Sequence, residues 1–138
     1  MAQQDVEIIL ARQLASGLAV PVLLVDARGN TVYFNEPAEV IFGRRFDEID
    51  ELPFERRAAI MAPLADDGRA IPPDQLPGMV AMRERRPVHG AFHIHGLDGL
   101  LRAVEATAIP LESAGGHLLG ALVVLWMRAR PEGPPPPG

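Results

Sequence analysis

The chain has 138 residues, enough for one domain with a sizeable core and too few for that domain joined to a catalytic module. With 48% hydrophobic and 22% charged residues, it has the composition of a folded globular protein. A net charge of −5 argues against a nucleic-acid partner, and the absence of cysteine excludes disulfides, thiolate metal ligands and cysteine nucleophiles.

The first predicted element is an amphipathic helix, assigned to residues 1–19. Its apolar residues recur at the three- and four-residue spacing of one helical stripe, which consists of Val6, Ile9, Leu10, Leu14 and Leu18. Pro21 interrupts this pattern. The pattern then predicts a short buried strand at residues 22–25, a turn at 26–30 and a second strand at 31–34.

A group of short helices is predicted to follow the hairpin. Asn35 is placed to cap the first of them, with Pro37 in its first turn and Gly43 at its end. Residues 54–61 are the best candidate for the next helix, and 66–73 have the composition of a surface loop. A longer helix is expected from Asp74 or Gln75 to Arg85, stopped by Pro87.

Three strands close the pattern at residues 88–95, 100–111 and 118–127. The turns between them lie at Asp98-Gly99 and Gly115-Gly116. The sequence therefore predicts an α+β domain over residues 20–128, with one five-stranded antiparallel sheet and short helices on one face. The proline-rich tail, residues 129–138, is expected to be disordered coil.

Five segments resemble the PAS domain family in their order and spacing. Residues 22–35 are similar to the opening hairpin of PAS domains, and 67–77 to the loop before their long helix. Residues 86–90 resemble the entry into the third strand, while 108–111 and 120–124 resemble the closing hairpin. The resemblance covers about residues 20 to 127.

The resemblance implies a five-stranded sheet that cups a small cavity against short helices, a fold used for ligand sensing, dimerisation and signal relay. No histidine precedes Arg86, which disfavours haem, and the absence of cysteine excludes the flavin-photoreceptor chemistry of some relatives. Non-covalent flavin stays open, so the cofactor is unknown. Residues 126–130 lack the Asp-Ile-Thr-like connector of relatives that signal to a following domain, so the output is expected in another chain or in oligomerisation.

Six residues are candidates for an adaptable ligand pocket: Met61, Met79, Met82, Phe92, Ile94 and Leu122. Apolar residues at helical and strand spacing are also ordinary core residues, so a ligand cavity and a filled core are both open.

Three histidines share one side of a predicted strand. His89, His93 and His95 project to one face, while Phe92 and Ile94 project to the other. The three imidazoles could bind zinc or sense pH, but the apolar neighbours should take the core side. We therefore predict a solvated or interface role for the histidines and no metal site.

The apolar stripe of the first helix predicts a homodimer, although it could instead pack on the sheet of its own subunit. The chain's only hydroxyl side chains besides tyrosine, those of Ser16, Thr31, Thr107 and Ser113, lie in no triad-like setting, so no enzyme activity is expected.

Two functional hypotheses follow. In the first, a sensory or regulatory protein binds a small apolar or cofactor ligand and signals through dimerisation or partner contacts. In the second, a ligand-free interaction module docks a signalling partner. No apolar run reaches the roughly 20 residues of a membrane span, and no signal peptide is visible, so neither a membrane nor a nucleic acid is expected as a partner and the cytoplasm is the expected location.

Overall fold

The secondary structure of the protein follows the predicted order. The computed structural model describes residues 3–49 and 53–128, so the predicted proline-rich tail lies outside the described residues. The elements are α1 (Gln3–Ser16), β1 (Val22–Asp26), β2 (Thr31–Phe34), α2 (Glu36–Phe42), α3 (Phe54–Met61), α4 (Pro77–Glu84), β3 (Val88–His95), β4 (Leu101–Glu112) and β5 (Leu118–Met127), with 3₁₀ turns at Phe46–Glu48 and Pro73–Gln75.

The five strands form one antiparallel sheet in the order β2-β1-β5-β4-β3, which confirms the predicted α+β fold class. The first and last strands of the chain therefore lie side by side in the middle of the sheet. Their pairing requires a glycine at position 120, because a Cβ on Gly120 would collide with the carbonyl group of Val25. None of the described helices has the length and apolar character that a bilayer crossing requires.

Both faces of β1 are covered. Leu23 and Val25 belong to the main core cluster, whereas Val22 and Leu24 alternate with them and point to the opposite face. All four are buried. The main core lies between the sheet and the short helices, to which α2 and α4 contribute residues, while α1 contacts β1, β2 and β5 and covers the other face.

The face that α1 turns toward the sheet differs from the predicted stripe. Ala15 is fully buried and Ala11 half-buried, whereas four residues of the stripe are exposed: Val6, Ile9, Leu10 and Leu14. The alternative in which the stripe packs on the sheet of its own subunit is therefore wrong for these four. Leu18 lies beyond the end of the helix and is half-buried, because the chain turns at Gly17.

The start of α4 is also later than predicted. The expected start at Asp74 or Gln75 is wrong, since residues 73–75 form a separate 3₁₀ turn and α4 begins at Pro77. Leu76 has an extended backbone, φ −67° and ψ 147°, as expected for a residue that precedes proline.

The side chain of Asn35 joins four segments of the chain. Its Oδ1 accepts hydrogen bonds from the backbone N–H of Val22 (2.9 Å) and of Ala38 (3.2 Å), the second of which caps α2 as predicted. Its Nδ2 donates to the backbone carbonyls of Ala15, Leu18 and Val20 at 2.8 to 3.3 Å. Asn35 is completely buried, and its side chain bonds the Val22 N–H and the Leu18 and Val20 carbonyls, whereas the Ala38 N–H and the Ala15 carbonyl also have backbone partners.

We expect Asn35→Ala to lower the free energy of unfolding by about 2 to 4 kcal/mol, because it removes a helix cap and the side-chain partner of the buried Val22 N–H and of the Leu18 and Val20 carbonyls. Urea denaturation measures this change. Asn30→Ala is the matched control, since the Oδ1 of Asn30 accepts one hydrogen bond, from the Phe54 N–H. Its cost should be about 1 kcal/mol. Equal costs for the two variants would show that Asn35 is an ordinary cap.

Candidate functional site

An apolar cavity of about 50 Å³ lies between the sheet and the helices α3 and α4. Strands β1, β3, β4 and β5 form one wall, and α3, the residues after it and the start of α4 form the other. The lining residues are Leu23, Val25, Phe42, Arg57, Ala58, Met61, Pro63, Leu76, Pro77, Gly78, Met79, Phe92, Ile94, Ala106, Val123 and Leu125.

Four of the six predicted ligand residues line this cavity: Met61, Met79, Phe92 and Ile94. Met82 is buried in the core cluster but does not line the cavity. The placement of Leu122 was wrong. It alternates with Val123 and pairs with Leu24, whose side chain points to the face covered by α1, so Leu122 lies on the sheet face opposite the cavity.

The size of the cavity limits what it can hold in this conformation. A cavity of about 150 Å³ is needed for benzene, and roughly 10 to 15 Å³ for one water molecule. At about 50 Å³, the cavity is between these two limits. The site therefore suits a small ligand, and flavin or haem would require the helices to move.

Arg57 is a residue of the site that the sequence analysis missed. It lies in α3 and is 7% exposed, and it lines both this cavity and a second one of about 10 Å³. Its Nη1 donates a 2.8 Å hydrogen bond to Thr31 Oγ1. Burial lowers the pKa of Arg57 to about 10, and the charge of Asp26 opposes this shift, so the guanidinium stays cationic at neutral pH.

The sequence did carry a signal for the burial of Arg57. Phe54, Ala58 and Met61 recur at helical spacing, and Arg57 is three residues after Phe54 and four before Met61. It is therefore on the stripe of the helix that faces the core, where an arginine is uncommon.

The three strand histidines lie on the outer face of the sheet or at its edge, as predicted. His89 Nδ1 is 2.9 Å from Thr107 Oγ1, His93 Nδ1 is 3.4 Å from Asp66 Oδ1, and His95 Nδ1 is 3.2 Å from the Met61 carbonyl. Their nearest polar partners thus differ. Within residues 3–49 and 53–128, no three histidine, aspartate or glutamate side chains are grouped closely enough to hold a metal ion.

An ion pair connects the segment after α3 to the end of β5. Arg128 donates from Nη1 and Nη2 to the two carboxylate oxygens of Asp66, at 3.2 and 2.8 Å. These hydrogen bonds lower the pKa of Asp66. Leu64 pairs with the backbone of His93 in the same region, so the chain that leaves the cavity wall is fixed to the edge strand β3 and to the end of β5.

The fold has close counterparts among solved structures. The PAS domain of Bordetella pertussis BvgS matches with a TM-score of 0.60 and 18% identity, over 91% of this chain and 89% of that chain. The LOV protein of Rhodobacter sphaeroides matches with a TM-score of 0.67 and 14% identity, over 96% and 71%. The PAS domain of nitrogen regulation protein NR(II) from Vibrio parahaemolyticus matches with a TM-score of 0.61 and 16% identity, over 86% and 98%.

The chain has the PAS fold. The resemblance of the five sequence segments to PAS domains is thereby confirmed at the level of the fold. No family model and no curated protein matches the sequence. At these identities the similarity establishes the architecture alone, and any ligand has to be inferred from the cavity of this chain.

Two alanines on β4 allow a test of the cavity. Ala106 and Ala108 are both fully buried on the same face of the strand, but only Ala106 lines the cavity. We expect Ala106→Val to raise the free energy of unfolding by about 0.5 to 1.5 kcal/mol, because the added methyl groups fill a void. Ala108→Val should lower it by about 1 to 3 kcal/mol through overpacking. Chemical denaturation measures both, and a destabilised Ala106→Val would indicate a filled core.

Proposed function

We propose that this PAS domain is a sensory or regulatory module that binds a small apolar ligand in the cavity beside α3 and signals through dimerisation or contact with a partner protein. The apolar cavity, with the flexible side chains of Met61 and Met79 in its wall, is the observation that carries the proposal. In this proposal the protein is cytoplasmic, acts by binding rather than by catalysis, and has no assigned cofactor.

The connection between the cavity and the end of β5 supports a signalling role. Arg57, Ala58 and Met61 of α3 line the cavity, and Asp66, five residues after Met61, binds Arg128 at the end of β5. A ligand that displaces α3 would therefore act on a segment that is hydrogen-bonded to the last described residue of the domain. The similar PAS domain from a nitrogen regulation protein supports the same class of role.

Native mass spectrometry of freshly purified protein tests the ligand. We expect a stoichiometric small molecule that is released on denaturation, and we expect Ala106→Val to lose it, because the valine occupies the cavity. Ala108→Val, outside the cavity, should retain the molecule if it remains folded. A wild-type protein without any bound molecule, which also fails to bind small apolar probes, would contradict the sensor proposal.

The exposed stripe of α1 supports the dimer. Leu10 and Leu14 are 58% and 65% exposed. On the neighbouring sheet face, the strands β4 and β5 expose Ile109 and Trp126. A second copy of this chain would bury both apolar surfaces at once, because α1 and the outer sheet face lie on the same side of the molecule.

A ligand-free interaction module is the second candidate. The same exposed surface would fit a signalling partner with a matching apolar face, and the small volume of the cavity favours this alternative over binding of a large cofactor. A protein that is monomeric, carries no ligand and binds no apolar probe would support it.

We expect Leu14→Glu to weaken self-association at least about tenfold, because it places a charge in the centre of the proposed interface. Val40→Glu on α2 is the matched control, since Val40 is 66% exposed and does not lie on α1 or the outer face of the sheet. Sedimentation equilibrium measures the dissociation constant of each variant. If Leu14→Glu dimerises as tightly as Val40→Glu, the dimer does not use α1.

A further inference from the structure

One charged residue lines an otherwise apolar cavity. Of the described lining residues, Arg57 alone has a polar side chain, and it lies at the junction between the main cavity and the smaller one. Leu23, Phe42 and Met61 line both cavities as well. Arg57 is 7% exposed and therefore lies buried beside an apolar space.

The guanidinium has more hydrogen-bonding capacity than the surrounding described residues use. An arginine carries five N–H donors, and within the described part of the chain its side chain makes one hydrogen bond, to Thr31 Oγ1 at 2.8 Å. The ring of Phe54 lies 5.5 Å from the guanidinium carbon. An aromatic face attracts the cation but accepts no strong hydrogen bond.

The nearby acid does not form an ion pair with Arg57. Asp26 is close enough to raise the pKa of Arg57, but no hydrogen bond or salt bridge joins the two side chains. The Oδ1 of Asp26 instead accepts hydrogen bonds from the backbone N–H groups of Arg28 and Asn30, which fixes the carboxylate in the β1–β2 turn. Among residues 3–49 and 53–128, the guanidinium of Arg57 thus has no carboxylate partner, although its burial carries a desolvation cost.

We propose that Arg57 is the recognition residue for the carboxylate of a small monocarboxylic acid whose apolar body occupies the cavity. This inference rests on the proposed ligand-binding function and names the class of ligand. A carboxylate matches the planar fork of the guanidinium with two parallel hydrogen bonds, and a neutral apolar ligand does not. The other lining residues supply only apolar contacts, so one polar anchor fixes the orientation of the ligand.

The volume of the cavity sets the length of the acid. Since about 150 Å³ accommodates benzene, the 50 Å³ of this cavity is about a third of that volume, so an acid of roughly four to six carbon atoms fits only when the side chains of Met61 and Met79 move outward. Acetate would contact little of the apolar wall of the widened cavity, and decanoate would exceed its space.

Isothermal titration calorimetry of the full chain tests the inference with a series of acids and one neutral probe. We expect affinity to rise from acetate to butyrate and hexanoate and to fall at decanoate. Hexanamide, which has the same chain length without the charge, should bind at least about tenfold more weakly than hexanoate.

Arg57→Met removes the charge while keeping a long apolar side chain, and it should abolish the preference for hexanoate over hexanamide. Arg56→Met is the matched control, because Arg56 is the neighbouring arginine of α3 and is exposed. It should leave the preference unchanged. If Arg57→Met fails to fold, Arg57→Lys replaces it, and it should keep the preference for the acid with weaker binding because the fork is lost.

The outcomes separate the two proposals. If hexanamide binds as well as hexanoate, or if folded Arg57→Met keeps the preference, the cavity binds ligands but Arg57 does not recognise a carboxylate, and this inference is wrong while the proposed function stands. If neither the acids nor hexanamide bind, the cavity is not a ligand site and both proposals fail. A rise in melting temperature of about 2 to 5 °C in unliganded Arg57→Met would further support a charge kept for a ligand, since it would show that the desolvation cost of Arg57 exceeds the stabilisation from its contacts with Thr31 and Phe54.

Discussion

The buried amide of Asn35 determines how the helices are distributed over the sheet. Because its two polar atoms bind backbone groups at the end of α1, at the start of β1 and at the start of α2, these three elements meet at one point. The chain of α1 must then lie across the face that carries Val22 and Leu24, and α2 must begin on the other face. With α1 on one side, the core between the sheet and the short helices is left to α2, α3 and α4, and the cavity forms there.

The cavity follows from small residues facing each other across that layer. Ala58 on α3, Gly78 on α4 and Ala106 on β4 all line it, and none has a side chain long enough to reach the opposite wall. Protein interiors are usually filled to the density of organic crystals, so a void lined by small residues on three different elements lowers stability unless a ligand occupies it. A buried arginine in the same wall adds a second cost, of desolvation. The void and the buried arginine therefore both lower stability in the wall of the same cavity, as is common at functional sites.

Sequence reasoning predicted the elements whose signals are local. The β-branched residues of β2, the cap at Asn35, the turn at Gly43 and the alternation in β3 each act within a few residues, and the structure has all of them. Sequence reasoning did not predict which face of α1 meets the sheet. An apolar stripe shows that a helix is amphipathic, but it does not show what covers the stripe. Leu122 was misplaced since its face depends on the register of β5 against β1, and Arg57 was missed because a charged residue is expected at the surface.

The segment between α3 and α4 connects the cavity in the core to the surface. Pro63 lines the cavity, Leu64 pairs with the edge of β3 at His93, and Asp66 binds Arg128. Two attachments within three residues, at Leu64 and Asp66, restrict the freedom of this segment to absorb a shift of α3. The low pKa of Asp66 keeps its carboxylate ionised at neutral pH, so the ion pair is intact there and is lost only as the pH falls through that lowered value. Arg128 also donates its backbone N–H to the Ala103 carbonyl, so Asp66 is connected through one residue to the end of β5 and to the adjacent strand β4.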